Sequence, residues 1–483
     1  MFTAGGNRLK GAIPAAFGSM EGLEIFHLDR NRFSGEIPGG LADNTVMRSL
    51  KLDRNRLSGA IPAFSNSESL VVLSLGDNDG LTGTIDLESL ALLEEVNLQN
   101  NDFDGALPSF SRAINLNTLR LGGNGFTSEP FPTYLLNMQN MTNLGLNGLG
   151  LTGVLPTGIA GWTNMRILSL EENSFTGNLP ISLATMSDLQ EFTLHSNQLS
   201  GSIPFETTFL GNLEVLTLSS NLLDSAIPSS LGRLSSLRIL EMASNSLTGE
   251  LPASMSQMTR LQVLDVGNND LSGSIPNFVS TFESLRALIL ADNSFSGQIA
   301  SSIGNLRNLE ALILASNNLA GRIPNSFGNL ESLFVLDVSS NFLGGAIPDS
   351  IGDMSSLREL RLGTNFASNG ESFGFSGPIP ASISRISQLE VLELNDNRLT
   401  GVLPAELGGL DNLRVFDVSG NSGLGGSVPP EYTGMVALDE LYVSGTGLEG
   451  QVPNGLCQRE VFVEVSCVDQ ELEIQCSCCE CPQ

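Results

Sequence analysis

With 52 aspartates and glutamates against 23 lysines and arginines in 483 residues, the chain carries a formal net charge of −29. That charge repels phosphate backbones and anionic lipid surfaces and excludes nucleic acid as a partner. No run approaches the roughly 18 apolar residues of a membrane-spanning helix, so no membrane span is expected here, and any anchor or kinase domain would belong to a further part of the protein.

The opening, MFTAGGNRLKG, already lies inside a pattern, since Phe2, Ala4 and Asn7 occupy positions that recur downstream. Stacked repeats need a polar capping unit at each end, so an N-terminal cap and a signal peptide are expected before Met1. The phrase LDRNRFSGEIP starting at Leu28 returns as LDRNRLSGAIP starting at Leu52, 24 residues later. It continues as LEENSFTGNLP from Leu170, LHSNQLSGSIP from Leu194, VGNNDLSGSIP from Val266, LASNNLAGRIP from Leu314 and LNDNRLTGVLP from Leu394. Aligned on the asparagine, nineteen rungs run from Asn7 to Thr446, with Leu149 replacing the asparagine in one of them.

Within a rung the apolar positions fall eight, five and three residues before the asparagine and two and six after it, as in Leu189, Phe192, Leu194, Asn197, Leu199 and Ile203. The alternation just before the asparagine suits a short strand. One such unit cannot bury its own apolar edge, whereas many stacked in parallel share a continuous core. The inward asparagine must find hydrogen-bond partners. Its carboxamide both donates and accepts, so it can bond backbone groups of its own coil and of the next. The glycine four residues on lets the chain bend, and the following proline ends the second extended run.

The pattern LxxLxLxxNxL(S/T)GxIP resembles the plant-type leucine-rich repeats of receptor-like kinase ectodomains, receptor-like proteins and polygalacturonase inhibitors. The resemblance covers nearly the whole chain. It implies an α/β solenoid, a right-handed superhelix with a parallel sheet on its concave face and short 3-10 turns on its convex face. The expected organisation is a solenoid of about 19 repeats over 1–453 and a cysteine-rich cap over 454–483.

Two stretches break the period. One, 122–150, lengthens a rung around Leu149 and reads as a jog that the stack tolerates. The other, NFASNGESFGFSGPIP from Asn365, inserts about eight residues carrying or adjoining Phe366, Phe373 and Phe375. Some family members contact ligand through an island at such a place, and Phe366 is accordingly a candidate contact.

Alternation places the residues four and two before each asparagine on the open face of the sheet. In the four-before column Glu241 and Asp265 are followed by Ile289, Ile313, Asp337 and Arg361. Two carboxylates side by side, then two isoleucines on a wet face, fit an extended peptide with an apolar anchor and a basic residue. The two-before and one-before columns from Ser219 to Ser340 are small residues apart from Asn268 and Asp292, which leaves a partner room to approach the sheet. A basic corner, Arg30, Arg32, Lys51, Arg54 and Arg56, reads as a solvated coil edge.

All six cysteines, Cys457, Cys467, Cys476, Cys478, Cys479 and Cys481, lie in the last 27 residues. An even number clustered at a solenoid end suggests a disulfide-stapled cap and an oxidising compartment. Zinc is the rival reading, although the overlapping C-x-x-C pairs cannot act as two separate ligand pairs. Asn140-Met141-Thr142 is the single glycosylation sequon. The line Glu171, His195 and Ser219 imitates a triad, but strand spacing of about 4.8 Å exceeds a hydrogen bond. No catalytic, metal or cofactor site is therefore expected. The sequence points to an extracellular or cell-surface recognition module that binds a peptide or protein ligand, with a co-receptor as a further candidate partner. An inhibitor of a cell-wall-degrading hydrolase and a structural wall or matrix protein are the alternatives. Mass spectrometry of the oxidised chain is expected to show three disulfides; six free thiols or a bound zinc would contradict the cap.

Overall fold

The computed structural model describes residues 1–78, 80–204, 210–365, 374–459 and 461–465, and the backbone alone of 467–468, 471–472, 474–475 and 479–480. It forms two compact units, Met1–Leu237 and Arg238–Gln483. Both are built from one repeated coil. Around Asn317 a three-residue strand, Ala311–Ile313, turns out its first and last side chains and buries Leu312. A second strand, Asn318–Gly321, follows, and then a 3-10 turn, Asn325–Asn329, that buries Phe327. Pro324 sits just before that turn in an extended conformation, where its missing N–H costs nothing, and its carbonyl accepts the Phe327 amide at 3.0 Å.

In the first unit the inner strands pair in parallel from Phe2–Thr3 and Ile25–His27 through to Glu191–Thr193 and Val215–Thr217. The second unit does the same from Ile239–Glu241 to Phe462–Glu464 and Cys479–Glu480. The central residue of each inner strand enters the core: Leu50, Leu144, Leu168, Leu264 and Leu360 are all fully buried. A side chain that repeats every coil stacks on its own counterpart, so the core runs along the stack rather than toward a centre.

The asparagines tie the coils together. The Nδ2 of Asn317 donates to the carbonyls of Leu314 and Ala315 at 3.1 Å in its own coil and to Leu290 of the preceding coil at 2.9 Å. Its Oδ1 accepts the Phe295 amide at 2.9 Å. The same set recurs at Asn31, Asn197, Asn341 and Asn397. The chain enters each ladder position through a left-handed residue, from Arg30 (φ 54°) through Ser316 (φ 54°) to Asp396 (φ 49°). That conformation disfavours β-branched and bulky side chains and is adopted most readily by glycine, asparagine and aspartate. The polar, mostly small residues one before the asparagine thus answer first to backbone geometry; ligand access is a secondary explanation for that column.

Leu149 shows what the ladder supplies. Its side chain is buried, while its own amide and that of Leu151 both donate to Asn173 Oδ1, at 3.2 and 2.9 Å. The carbonyls of Leu121 and Leu146 keep one asparagine each, Asn124 and Asn173. The amide of Phe126, which an asparagine at 149 would accept, has no hydrogen-bond partner among the described residues. An unpaired buried amide costs about 1–3 kcal/mol. Hydrogen exchange is therefore expected to be at least about tenfold faster at Phe126 than at Phe103 and Leu151, whose amides meet Asn124 and Asn173. Equal protection at the three would show that a buried water supplies the missing acceptor.

Candidate functional site

The outward sheet face of the second unit carries the candidate residues. Strand pairing sets Glu241 opposite Asp265, Asp265 opposite Ile289, Ile289 opposite Ile313, Ile313 opposite Asp337, and Asp337 opposite Arg361. The six form one unbroken row across six adjacent strands, and all are half-buried. A second outward column lies beside them, two residues earlier on each strand: Ile239, Val263, Ala287, Ala311 and Val335, also half-buried. The sequence reading overlooked this column, although the same alternation marks it. Ala287 and Ala311 are paired neighbours, as are Ile289 and Ile313. Two short side chains between Val263 and Val335 make a shallow apolar seat walled by the isoleucines.

The carboxylates of the row do local structural work as well. Asp265 accepts the Gly267 amide at 3.0 Å. Asp337 accepts both the amide (3.0 Å) and the hydroxyl (2.6 Å) of Ser339, and Asp417 takes the same pair from Ser419 at 2.8 and 2.6 Å. Each therefore pins the exit of its own strand, which gives the acidic neighbours a reason to be there besides ligand. Arg361 is engaged, with its guanidinium on Glu359 and, at 3.2 Å, on Glu393.

Of the other candidates, Phe366 and Phe373 lie outside the described residues. Phe375 is core: it is fully buried and its amide donates to Asn397 at 2.9 Å. Cys457 is disulfide-bonded, and the side chains of Cys467, Cys476, Cys478, Cys479 and Cys481 lie outside the described residues. Asn140 is exposed on the turn before strand Asn143–Gly145.

In the first unit His195 Nδ1 lies 3.1 Å from the Thr217 hydroxyl and Glu171 accepts the Thr193 hydroxyl, so Glu171 does not orient the imidazole as a triad carboxylate would. His27 hydrogen-bonds Ser49 at 2.8 Å, and burial, with Lys51 nearby, pushes its pKa down against the pull of Asp29, Asp53 and Glu95. The basic corner is partly paired, Lys51 with Glu95 at 3.3 Å and Arg54 with Asp77 at 3.4 Å. Among the described residues, no helix is long and apolar enough to cross a membrane.

Family models described as leucine rich repeat match residues 211–271 and 307–365, and 284–306 and 388–410. The curated Receptor-like protein 41 of Arabidopsis thaliana is 29% identical over 132 residues, 17% of this chain and 15% of that protein. The leucine-rich-repeat ectodomain of the Arabidopsis receptor kinase HAESA, solved with an IDA peptide hormone ligand, is 31% identical. The match covers 96% of this chain and 72% of that one, with a TM-score of 0.79. The ectodomain of Arabidopsis GASSHO1/SCHENGEN3, solved with CASPARIAN STRIP INTEGRITY FACTOR 2, is 30% identical over 97% of this chain and 64% of that one, with a TM-score of 0.74. The chain thus spans a small part of the curated relative and about two thirds of that structure.

Asp265, Glu393 and Asp417 on the sheet face are held above their ordinary range. Burial raises Asp265 against the Gly267 amide, raises Glu393 against Arg361 with Asp337 and Asp417 adding to it, and raises Asp417 against Ser419 with Asp396 and Glu464 adding to it. A carboxylate whose folded pKa lies above its unfolded value binds the extra proton in the folded state, so its contribution to stability falls as pH rises through that interval. Asp417→Asn keeps an acceptor for Ser419 and removes the buried charge. Its melting temperature is expected to exceed the parent's at pH 7, and the difference should close below the ordinary carboxylate range; a difference independent of pH would contradict the assignment.

Proposed function

The chain belongs to the leucine-rich-repeat family of plant receptor-like ectodomains, and from that premise we propose that the outward sheet face of its second unit binds an extended peptide or protein ligand. The carrying observation is the apolar seat: Ile289 and Ile313 in register on adjacent strands, with Ala287 and Ala311 beside them. Isolated apolar side chains on a surface are ordinary, whereas a contiguous patch framed by charge suits recognition. The row from Glu241 through Asp265, Ile289, Ile313 and Asp337 to Arg361 is the proposed contact line, and Phe366, five residues after Arg361 in sequence, is a further candidate contact. Support comes from the relatives, since HAESA has been solved with a peptide hormone and with the co-receptor SERK1. A co-receptor is accordingly a candidate second partner.

The module acts by binding rather than by catalysis, outside the cell or at its surface. The disulfide at Cys457 and the exposed sequon at Asn140 fit that compartment, and 454–483 serves as a cap that closes the last coils. Replacing both Ile289 and Ile313 with Asp is expected to weaken ligand binding by at least about 100-fold, the loss of two buried apolar contacts. The melting temperature should change little, because neither side chain belongs to the core. Undiminished binding of a secreted peptide by the double variant would refute the site. Undiminished binding of a wall hydrolase would instead favour the inhibitor reading.

A further inference from the structure

Beyond Arg361 the row changes character. It continues in register as Glu393, Asp417, Tyr442 and Glu464. Arg361 is the only cation on the six strands from Val335–Asp337 to Phe462–Glu464, against six carboxylates. Glu359 and Glu393 share that one guanidinium. The other four are held by neutral donors: Asp337 by Ser339, Asp417 by Ser419, Glu440 by the Tyr442 hydroxyl at 2.9 Å, and Glu464 by Ser444 at 2.7 Å. A neutral donor fixes the direction of a carboxylate without cancelling its charge. The Tyr442 and Phe462 rings pack 5.6 Å apart in the same corner, and both are half-buried. Oriented, uncancelled carboxylates bordered by aromatic faces complement a cationic side chain with an aliphatic stem.

The distance to the apolar seat is set by the sheet. At about 4.8 Å per strand, the middle of the Ile289–Ile313 pair lies about 17 Å from Glu393 and about 22 Å from Asp417, which is five to seven residues of extended chain. We infer that this stretch is the cation-accepting end of the ligand face: its occupant is an extended peptide whose lysine or arginine lies five to seven residues from the apolar side chain seated at Ile289 and Ile313. This rests on the peptide-binding reading above and specifies its ligand. Competition with protons follows. Glu393 faces Arg361, Asp337 and Asp417, and Asp417 faces Ser419, Asp396 and Glu464, so that both titrate above the usual carboxylate range. A peptide cation favours their ionised forms, and binding strengthens as pH rises through their titration.

The test uses the full chain and a display library of random dodecapeptides panned at pH 7. Enriched peptides should carry Lys or Arg five to seven residues from a large apolar residue. One of them, synthesised with blocked termini and no acidic residue, should bind at least about tenfold more tightly at pH 7 than at pH 4.5. In the Glu393→Gln, Asp417→Asn variant its affinity at pH 7 should fall by about tenfold and its pH dependence should flatten. Enriched peptides without a cation, or equal affinity for parent and variant, would overturn the inference. If such cation-free peptides still need Ile289 and Ile313, the apolar seat stands and only the cation site is lost. Enrichment of peptides that ignore the two isoleucines, or no enrichment at all, would remove both.

Discussion

The carboxamide of the ladder asparagine is the constraint on which the rest depends. A coil of about 24 residues must turn a corner inside the molecule, where backbone amides and carbonyls have no water to bond. One side chain that gives two hydrogens and takes one or two solves this for two coils together, as Asn317 does for Leu290, Phe295, Leu314 and Ala315. Because its partners lie in adjacent coils, the asparagine also fixes their register. Register then places every fourth-before residue directly beside its counterpart on the next strand. The row Glu241 to Arg361 is thus a consequence of the ladder, and a sequence that keeps the ladder can vary that row freely.

That separation explains how much of the molecule was legible beforehand. The coil, its parallel strands and the row of candidate residues all follow from spacing, because a strict period leaves no freedom in where side chains go. Column meaning was harder. The residues before the asparagines read as clearance for a ligand, while Ser316 and its counterparts are small or polar chiefly because their φ is positive. Asp265 and Asp337 read as charges awaiting a partner, but each also closes its own turn. Local hydrogen bonds of that kind leave no periodic signal. The apolar column of Val263, Ala287 and Ala311 had such a signal and was passed over, since apolar residues at the head of a strand look like core.

Function divides along the same line. The first unit presents a mixed face in which His27, Lys51 and Arg54 already have partners. In the second unit an apolar seat gives way to carboxylates that outnumber the one guanidinium among them, Arg361. A fold that hosts many partners says little about any one of them, so the ligand is specified by the order of seat and charge along the sheet.

A crystal structure of the full chain with a peptide selected on it examines that account most directly. The account places the peptide across the strands of the second unit, with an apolar side chain within about 4 Å of both Ile289 and Ile313. A peptide bound on the second-strand side of the coils, or on the first unit, would contradict it.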